Sequence, residues 1–117
     1  MENEETTAEA AARETREEAH ADVAGLQLYG LFNLPHISQV YVMFRGQLVG
    51  GHASAGPESL EVGLFREREI PWDALAFPVV EETLRLFFQD RRRGEFPVHV
   101  EDIIPDPDGS IRFRRLR

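Results

Sequence analysis

The stretch ARETREEAH, residues 12 to 20, sets Glu14, Glu17 and Glu18 at i, i+3 and i+4, the spacing that gathers side chains on one face of a helix. Three carboxylates so placed repel one another unless cations share them. Hard divalent ions such as Mg²⁺ and Mn²⁺ prefer carboxylate oxygens and keep several waters, which a substrate's phosphates can replace. The chemistry this pattern supports is metal-assisted hydrolysis of a pyrophosphate. A second reading stands beside it, because mixed Glu and Arg at helical spacing also make a solvated face that supports a helix.

Composition restricts the alternatives. With no cysteine there is no disulfide framework, no zinc-thiolate site and no thiol nucleophile, so a metal must sit among oxygens and histidines. All 13 basic residues are arginine, which removes lysine bases and Schiff-base chemistry. A formal charge of −8 argues against nonspecific nucleic-acid binding, which needs a basic surface. The longest apolar runs are far too short to span a bilayer and no basic-then-apolar signal opens the chain, so a cytoplasmic location and no membrane partner are expected. At 117 residues, 42% hydrophobic and 29% charged, the chain has the make-up of one folded domain.

The elements that must position the glutamates can be read in order. Residues 6 to 20 read as a helix capped by Thr6 or Thr7, with Ala8, Ala11, Ala12, Thr15 and Ala19 on a narrow stripe of small side chains suited to packing on a sheet. Residues 23 to 32 and 39 to 49 read as strands joined by the turn FNLPHIS. A Gly-rich loop over 50 to 58, a strand over 60 to 65 and the turn EREIPWDAL follow. A helix is expected from Val79 to Arg92, its stripe made of Val79, Val80, Leu84, Phe87 and Phe88 and its stop at Gly94. The tail can close as a hairpin around PDPDG. The expected class is α+β, an α/β/α sandwich with a mixed sheet between helices.

With those residues in view, ETTAEAAARETREEAHA resembles the signature of the Nudix hydrolases, which cleave nucleoside diphosphates linked to another group. That box has a glycine, a glutamate after five residues and, seven residues later, the run R-E-U-x-E-E-x-G-U with U aliphatic. Glu5 precedes Arg13 by that interval, and Arg13, Glu14, Glu17 and Glu18 match the charged positions. His20 stands where the box has glycine, and Thr15 where it has an aliphatic residue. The leading glycine would fall before Met1, so the resemblance implies a partial Nudix fold with its first strands missing. Downstream, LFNLPHISQVYVMFRGQL, AGPESLEVGLF, EIPWDALAFPVVEETL and RRRGEFPVHV resemble the zinc-ribbon-bearing branch similar to FAD and NADH pyrophosphatases. The likeness covers residues 1 to about 103, leaving 104 to 117 as a C-terminal extension.

The resemblance implies roles. Glu14, Glu17 and Glu18 would hold Mg²⁺ or Mn²⁺, with Glu17, Glu18 and Glu61 catalytic and Glu5 with Arg13 a structural pair orienting loop and helix. Water attack on FAD, NADH, ADP-ribose or another dinucleotide or nucleotide-sugar would release AMP. The alternative is a Nudix-like module that binds a ligand or partner without turnover, or an inactive fragment. Plainer readings apply elsewhere: Glu58 and Glu61 as loop or edge-strand solvation, His36, His52 and His99 as surface or loop residues, Trp72 and Phe77 as core anchors, and Arg91 to Arg93 as helix-end cations. A chain lacking strands of its sheet would expose apolar surface, so self-association, with a homodimer as one form, or poor folding is expected.

Overall fold

The computed structural model describes residues 1–57 and 63–116. Among the described residues, two α-helices and four strands follow one another as α1 (Thr7–Ala19), β1 (Asp22–Leu34), β2 (Gln39–Val49), α2 (Pro78–Arg93), β3 (His99–Pro105) and β4 (Ile111–Arg115). The strands form one sheet in the order β2-β1-β3-β4. β1 runs parallel to β3, with Phe32 opposite Glu101, and β3 runs antiparallel to β4, with Ile103 opposite Phe113. The expected α+β class with a mixed sheet and two helices is the one observed. Among the described residues, no helix is long and apolar enough to cross a membrane.

Backbone contacts divide the chain into two compact units, Met1–Gln27 with Phe44–Arg68, and Leu28–Met43 with Glu69–Arg117. In the first unit, α1 begins where Thr6 accepts from the Glu9 amide at 3.1 Å while the Glu9 carboxylate accepts from the Thr6 amide at 2.9 Å. This reciprocal cap satisfies two otherwise orphaned donors and is worth about 1 kcal/mol. Ala10 is the buried residue of α1, and the expected small-residue stripe is half-buried. Thr15 sits on that stripe because its hydroxyl donates back to the Ala11 carbonyl at 2.7 Å, which hides its polarity where the family has an aliphatic residue.

The second unit holds a core of Tyr29, Phe32, Leu34, Val79, Leu86 and Ile103. Phe32 is fully buried, and truncating it to Ala would cost about 3 to 5 kcal/mol. On α2 the buried positions are Val79, Glu82, Leu86, Phe88 and Asp90, whereas the expected members Val80, Leu84 and Phe87 are half-buried. The stripe read from apolar residues was rotated by the two acids at 82 and 90, which share a face with Leu86 at four-residue spacing. Trp72 is half-buried, edge-on to Phe88 at 6.4 Å, as expected of an anchor. Phe77 is not an anchor: it precedes α2 at the N-cap position, makes no side-chain cap and is exposed. Gly94 ends the helix at φ 77°, a left-handed conformation that costs glycine nothing, and its amide donates to the Asp90 carbonyl at 2.8 Å.

His99 corrects another expectation. It is buried rather than loop-exposed, and its Nε2 lies 2.7 Å from Asp90 Oδ2, which also accepts from the Tyr29 hydroxyl. A buried carboxylate is tolerable there only because these partners meet it. The PDPDG hairpin forms: the Asp106 amide donates to the Ser110 carbonyl at 2.8 Å, and β4 pairs with β3, so the tail adds a strand. Asp102 accepts from Arg114 across that pair and from Asn33, and the arginine holds its carboxyl below the usual range. The strand expected over 60 to 65 falls partly outside the described residues, and Gly63, Leu64 and Phe65 have no strand structure.

Candidate functional site

The glutamates of α1 stand around one guanidinium in the first unit. Arg13 donates from Nε to Glu5 Oε2 at 2.8 Å and from a terminal nitrogen to Glu5 Oε1 at 3.2 Å, a bidentate pair that lowers the Glu5 pKa. The backbone amide of Glu2 adds to the lowering. The other terminal nitrogen of Arg13 reaches Glu17 Oε2 at 3.1 Å, and Glu14 Oε1 lies 3.7 Å from the guanidinium. Arg13 is thus the positive charge that lets Glu5, Glu14 and Glu17 coexist on this face.

The C-terminal end of α1 is closed by the loop from 52 to 57. The Ser54 amide donates to the Ala19 carbonyl at 2.8 Å and the Gly56 amide to the Glu18 carbonyl at 2.9 Å. These bonds satisfy carbonyls that a helix end leaves without partners. A Cβ on Gly56 would lie 1.9 Å from the Glu17 carbonyl oxygen, so only glycine permits that approach. His20 caps the helix at φ 46° and ψ 36°, in the left-handed region, and its Nδ1 meets the Ser54 hydroxyl at 2.9 Å. The glycine of the family box falls where the backbone turns left-handed, and the His20 ring bonds the loop there instead.

A cavity of about 360 Å³ opens between these parts, lined by Glu17, Glu18, His20 and Pro57. Of the acids singled out in the sequence, Glu17 and Glu18 line it, whereas Glu14 does not, and Glu58 and Glu61 lie outside the described residues. Among the described residues no three acids or histidines are gathered closely enough to hold a metal ion. The donor chemistry nevertheless suits a hard divalent cation: Glu14 and Glu17 are half or more exposed, oxygen-only and on rotatable stems. Arg13, which bridges both, holds the place between them that such a cation would take. His20 and Pro57 were not read from the sequence as site residues. The signal for His20 was its place at the box glycine, which marks a left-handed helix end.

This α+β fold with a mixed sheet, whose first helix carries the acidic register behind a Glu–Arg clamp, is similar to the Nudix fold of a solved structure. Over 89% of its length the chain matches the crystal structure of a NUDIX hydrolase from Nitrosomonas europaea, with a TM-score of 0.81 and 48% sequence identity. The chain spans 58% of the length of that protein. No family model and no curated protein matches the chain.

Proposed function

We propose that the chain acts in metal-dependent hydrolysis of the pyrophosphate bond of a nucleoside diphosphate derivative, of the FAD, NADH or ADP-ribose type, releasing AMP. The observation that carries this reading is the 48% identity to a Nudix hydrolase over 89% of the chain. Glu14, Glu17 and Glu18 would hold Mg²⁺ or Mn²⁺, which when bound would neutralise charge on the pyrophosphate oxygens and acidify a water. Arg13 orients Glu17 and pins Glu5 to the start of the helix, while Glu17 and Glu18 present carboxylates to the cavity. One of Glu17, Glu18 or Glu61 accepts the proton of the attacking water as a phosphorus–oxygen anhydride bond breaks, leaving AMP and a second phosphate ester. The zinc-ribbon branch, a cytoplasmic location and the later role of Glu61 belong to the same reading.

One observation favours a second reading, a Nudix-like module that binds without turnover: Arg13 holds Glu14 and Glu17, and no three-acid cluster is gathered among the described residues. Product analysis separates the two. With Mg²⁺ or Mn²⁺, FAD, NADH or ADP-ribose should yield AMP, and Glu17→Gln or Glu18→Gln should lower turnover on the order of 100-fold or more with the fold retained. Release of no nucleoside monophosphate from any dinucleotide or nucleotide-sugar would sink the hydrolase reading. Unchanged turnover and unchanged Mn²⁺ affinity in Glu17→Gln would sink the ligand assignment.

A further inference from the structure

The cavity beside the end of α1 has an unequal wall. Glu17 and Glu18 bring carboxylates to it and Pro57 brings neither donor nor charge, so among the described residues that line it His20 alone offers a side-chain hydrogen-bond donor. A diphosphate entering this space meets two acids that repel it and one ring that can hold it. That ring is fixed in place. The His20 amide donates to the Arg16 carbonyl at 3.0 Å, His20 Nδ1 meets the Ser54 hydroxyl at 2.9 Å, and the Ser54 amide is itself tied to the Ala19 carbonyl at 2.8 Å. Among the described residues, Nε2 has no partner.

The backbone points the same way. At φ 46° and ψ 36°, His20 occupies a conformation that glycine adopts freely and a residue with a Cβ holds only at a cost. Ending the helix needs no imidazole, because the amides of His20, Ser54 and Gly56 meet the last carbonyls. The ring is surplus to the turn, and strained non-glycine residues cluster where side chains clamp a ligand.

We propose that His20 binds the substrate's diphosphate directly, its Nε2–H donating to a phosphate oxygen. The proposal rests on the reading that this cavity receives the diphosphate. In this arrangement the Ser54 hydroxyl donates to Nδ1, which leaves the ring proton on Nε2, the nitrogen without a protein partner. A ring already held by the loop loses little freedom on binding, so the contact is not offset by the cost of ordering it. A phosphate oxygen carries its charge in the bound substrate as well as in the transition state, so the contact lowers KM more than it raises kcat.

The probe is α,β-methylene-ADP with Mg²⁺, a diphosphate whose bridging carbon resists hydrolysis. In calorimetry His20→Gly should bind it about tenfold more weakly than the parent, the scale of one hydrogen bond to a charged group. Glycine suits the left-handed turn, so the loss is not one of folding, and circular dichroism checks this. His20→Asn, which tolerates the same turn and keeps a shorter donor, should fall between the two. Nitrogen-15 spectra of the imidazole should place the proton on Nε2 and show the Nε2 signal moving when the probe binds, which a ring serving only the helix end would not do. With a dinucleotide that the parent cleaves, His20→Gly should raise KM about tenfold and change kcat little. Equal binding of the probe by parent and His20→Gly would overturn the proposal, as would an Nε2 signal that the probe leaves unmoved or a parent that binds no probe. Hydrolysis with an unchanged KM in His20→Gly removes the contact and leaves the hydrolase reading standing. Probe binding that depends on His20, with no nucleoside monophosphate released from any dinucleotide, keeps the contact and sinks that reading.

Discussion

Glu101→Gln should make the chain more stable at alkaline pH and leave it nearly unchanged in acid. Glu101 on β3 and Glu82 on α2 are each only 4% exposed, and Glu101 Oε1 is buried without a hydrogen-bond partner. Burial, then the hydrogen bond to Glu82, then the Glu82 charge raise the Glu101 pKa from an ordinary 4.5 to about 7, against the opposing pull of Arg115 and Arg85. Glu101 therefore keeps its proton to near neutrality. A carboxyl whose folded pKa lies above its unfolded one contributes stability that is fully present below the unfolded value. That contribution is lost as the pH rises through the folded value, so stability should fall between pH 4.5 and about 7 and level off beyond. A shift of this size at 1.36 kcal/mol per unit sets an upper bound of about 3 kcal/mol, which solvent screening lowers.

Urea unfolding at intervals from pH 5 to pH 8 reads this directly. Glutamine cannot ionise and can still donate to Glu82, so the difference between Glu101→Gln and the parent isolates the proton at this site from the other carboxylates. The difference should be small at pH 5 and grow, to at most about 3 kcal/mol, in favour of the variant by pH 8. Glu82→Gln should also flatten the dependence, because it removes a cause of the Glu101 shift. A difference between parent and Glu101→Gln that stays constant across the whole range would refute the raised Glu101 pKa.

Two further outcomes are expected. His20→Gly should be more stable than His20→Ala by about 1 kcal/mol in thermal unfolding, since alanine must hold a left-handed conformation that glycine adopts freely; equal stabilities would mean that the helix end relaxes out of φ 46°. β2 is an outer strand of the sheet with Val40 58% exposed, so the chain should self-associate and Val40→Lys should reduce the light-scattering mass, an edge lysine being a common block to strand pairing; a parent that is monomeric at every concentration removes that expectation.

What the sequence made legible follows the local physics. α1, its Thr6 cap and the stop at Gly94 depend on neighbours within one turn, so composition and spacing reveal them. β1 and β2 have alternation and a proline turn between them, and the acidic register was visible because its spacing is that of a helix face. Buried polar groups were not legible. Glu82, Asp90, His99 and Glu101 look like solvated residues in a one-dimensional pattern, and for Asp90 and His99 it is a contact between separate elements, with Tyr29 added from β1, that makes burial tolerable. Phe77 failed in the opposite sense, because an aromatic beside a proline reads as core while here it faces out at a cavity mouth.

The glutamate face of α1 raises a problem that the fold solves at the helix ends rather than along the face. Glu14, Glu17 and Glu18 cannot be buried, because a carboxylate taken out of water without partners is prohibitively costly, and they cannot pair fully with arginine if they are to bind a metal. Stability for the helix must come from elsewhere. At its start it comes from the Thr6–Glu9 box and from Glu5, which Arg13 grips in a bidentate pair where the guanidinium is only 23% exposed. At its end it comes from Ser54 and Gly56, whose amides meet the last carbonyls. Both ends are fixed by groups that are not proposed as metal ligands, so the side chains between them can be rearranged without unwinding the turn that carries them. Arg13 links the two demands: its firm contact to Glu5 is anchored, whereas its contact to the exposed Glu17 is one a competing cation can take over, since a solvent-exposed ion pair contributes only about 0.3 to 0.5 kcal/mol. A helix built this way has the balance a metal-binding face needs, rigid in backbone and loosely held in its carboxylates.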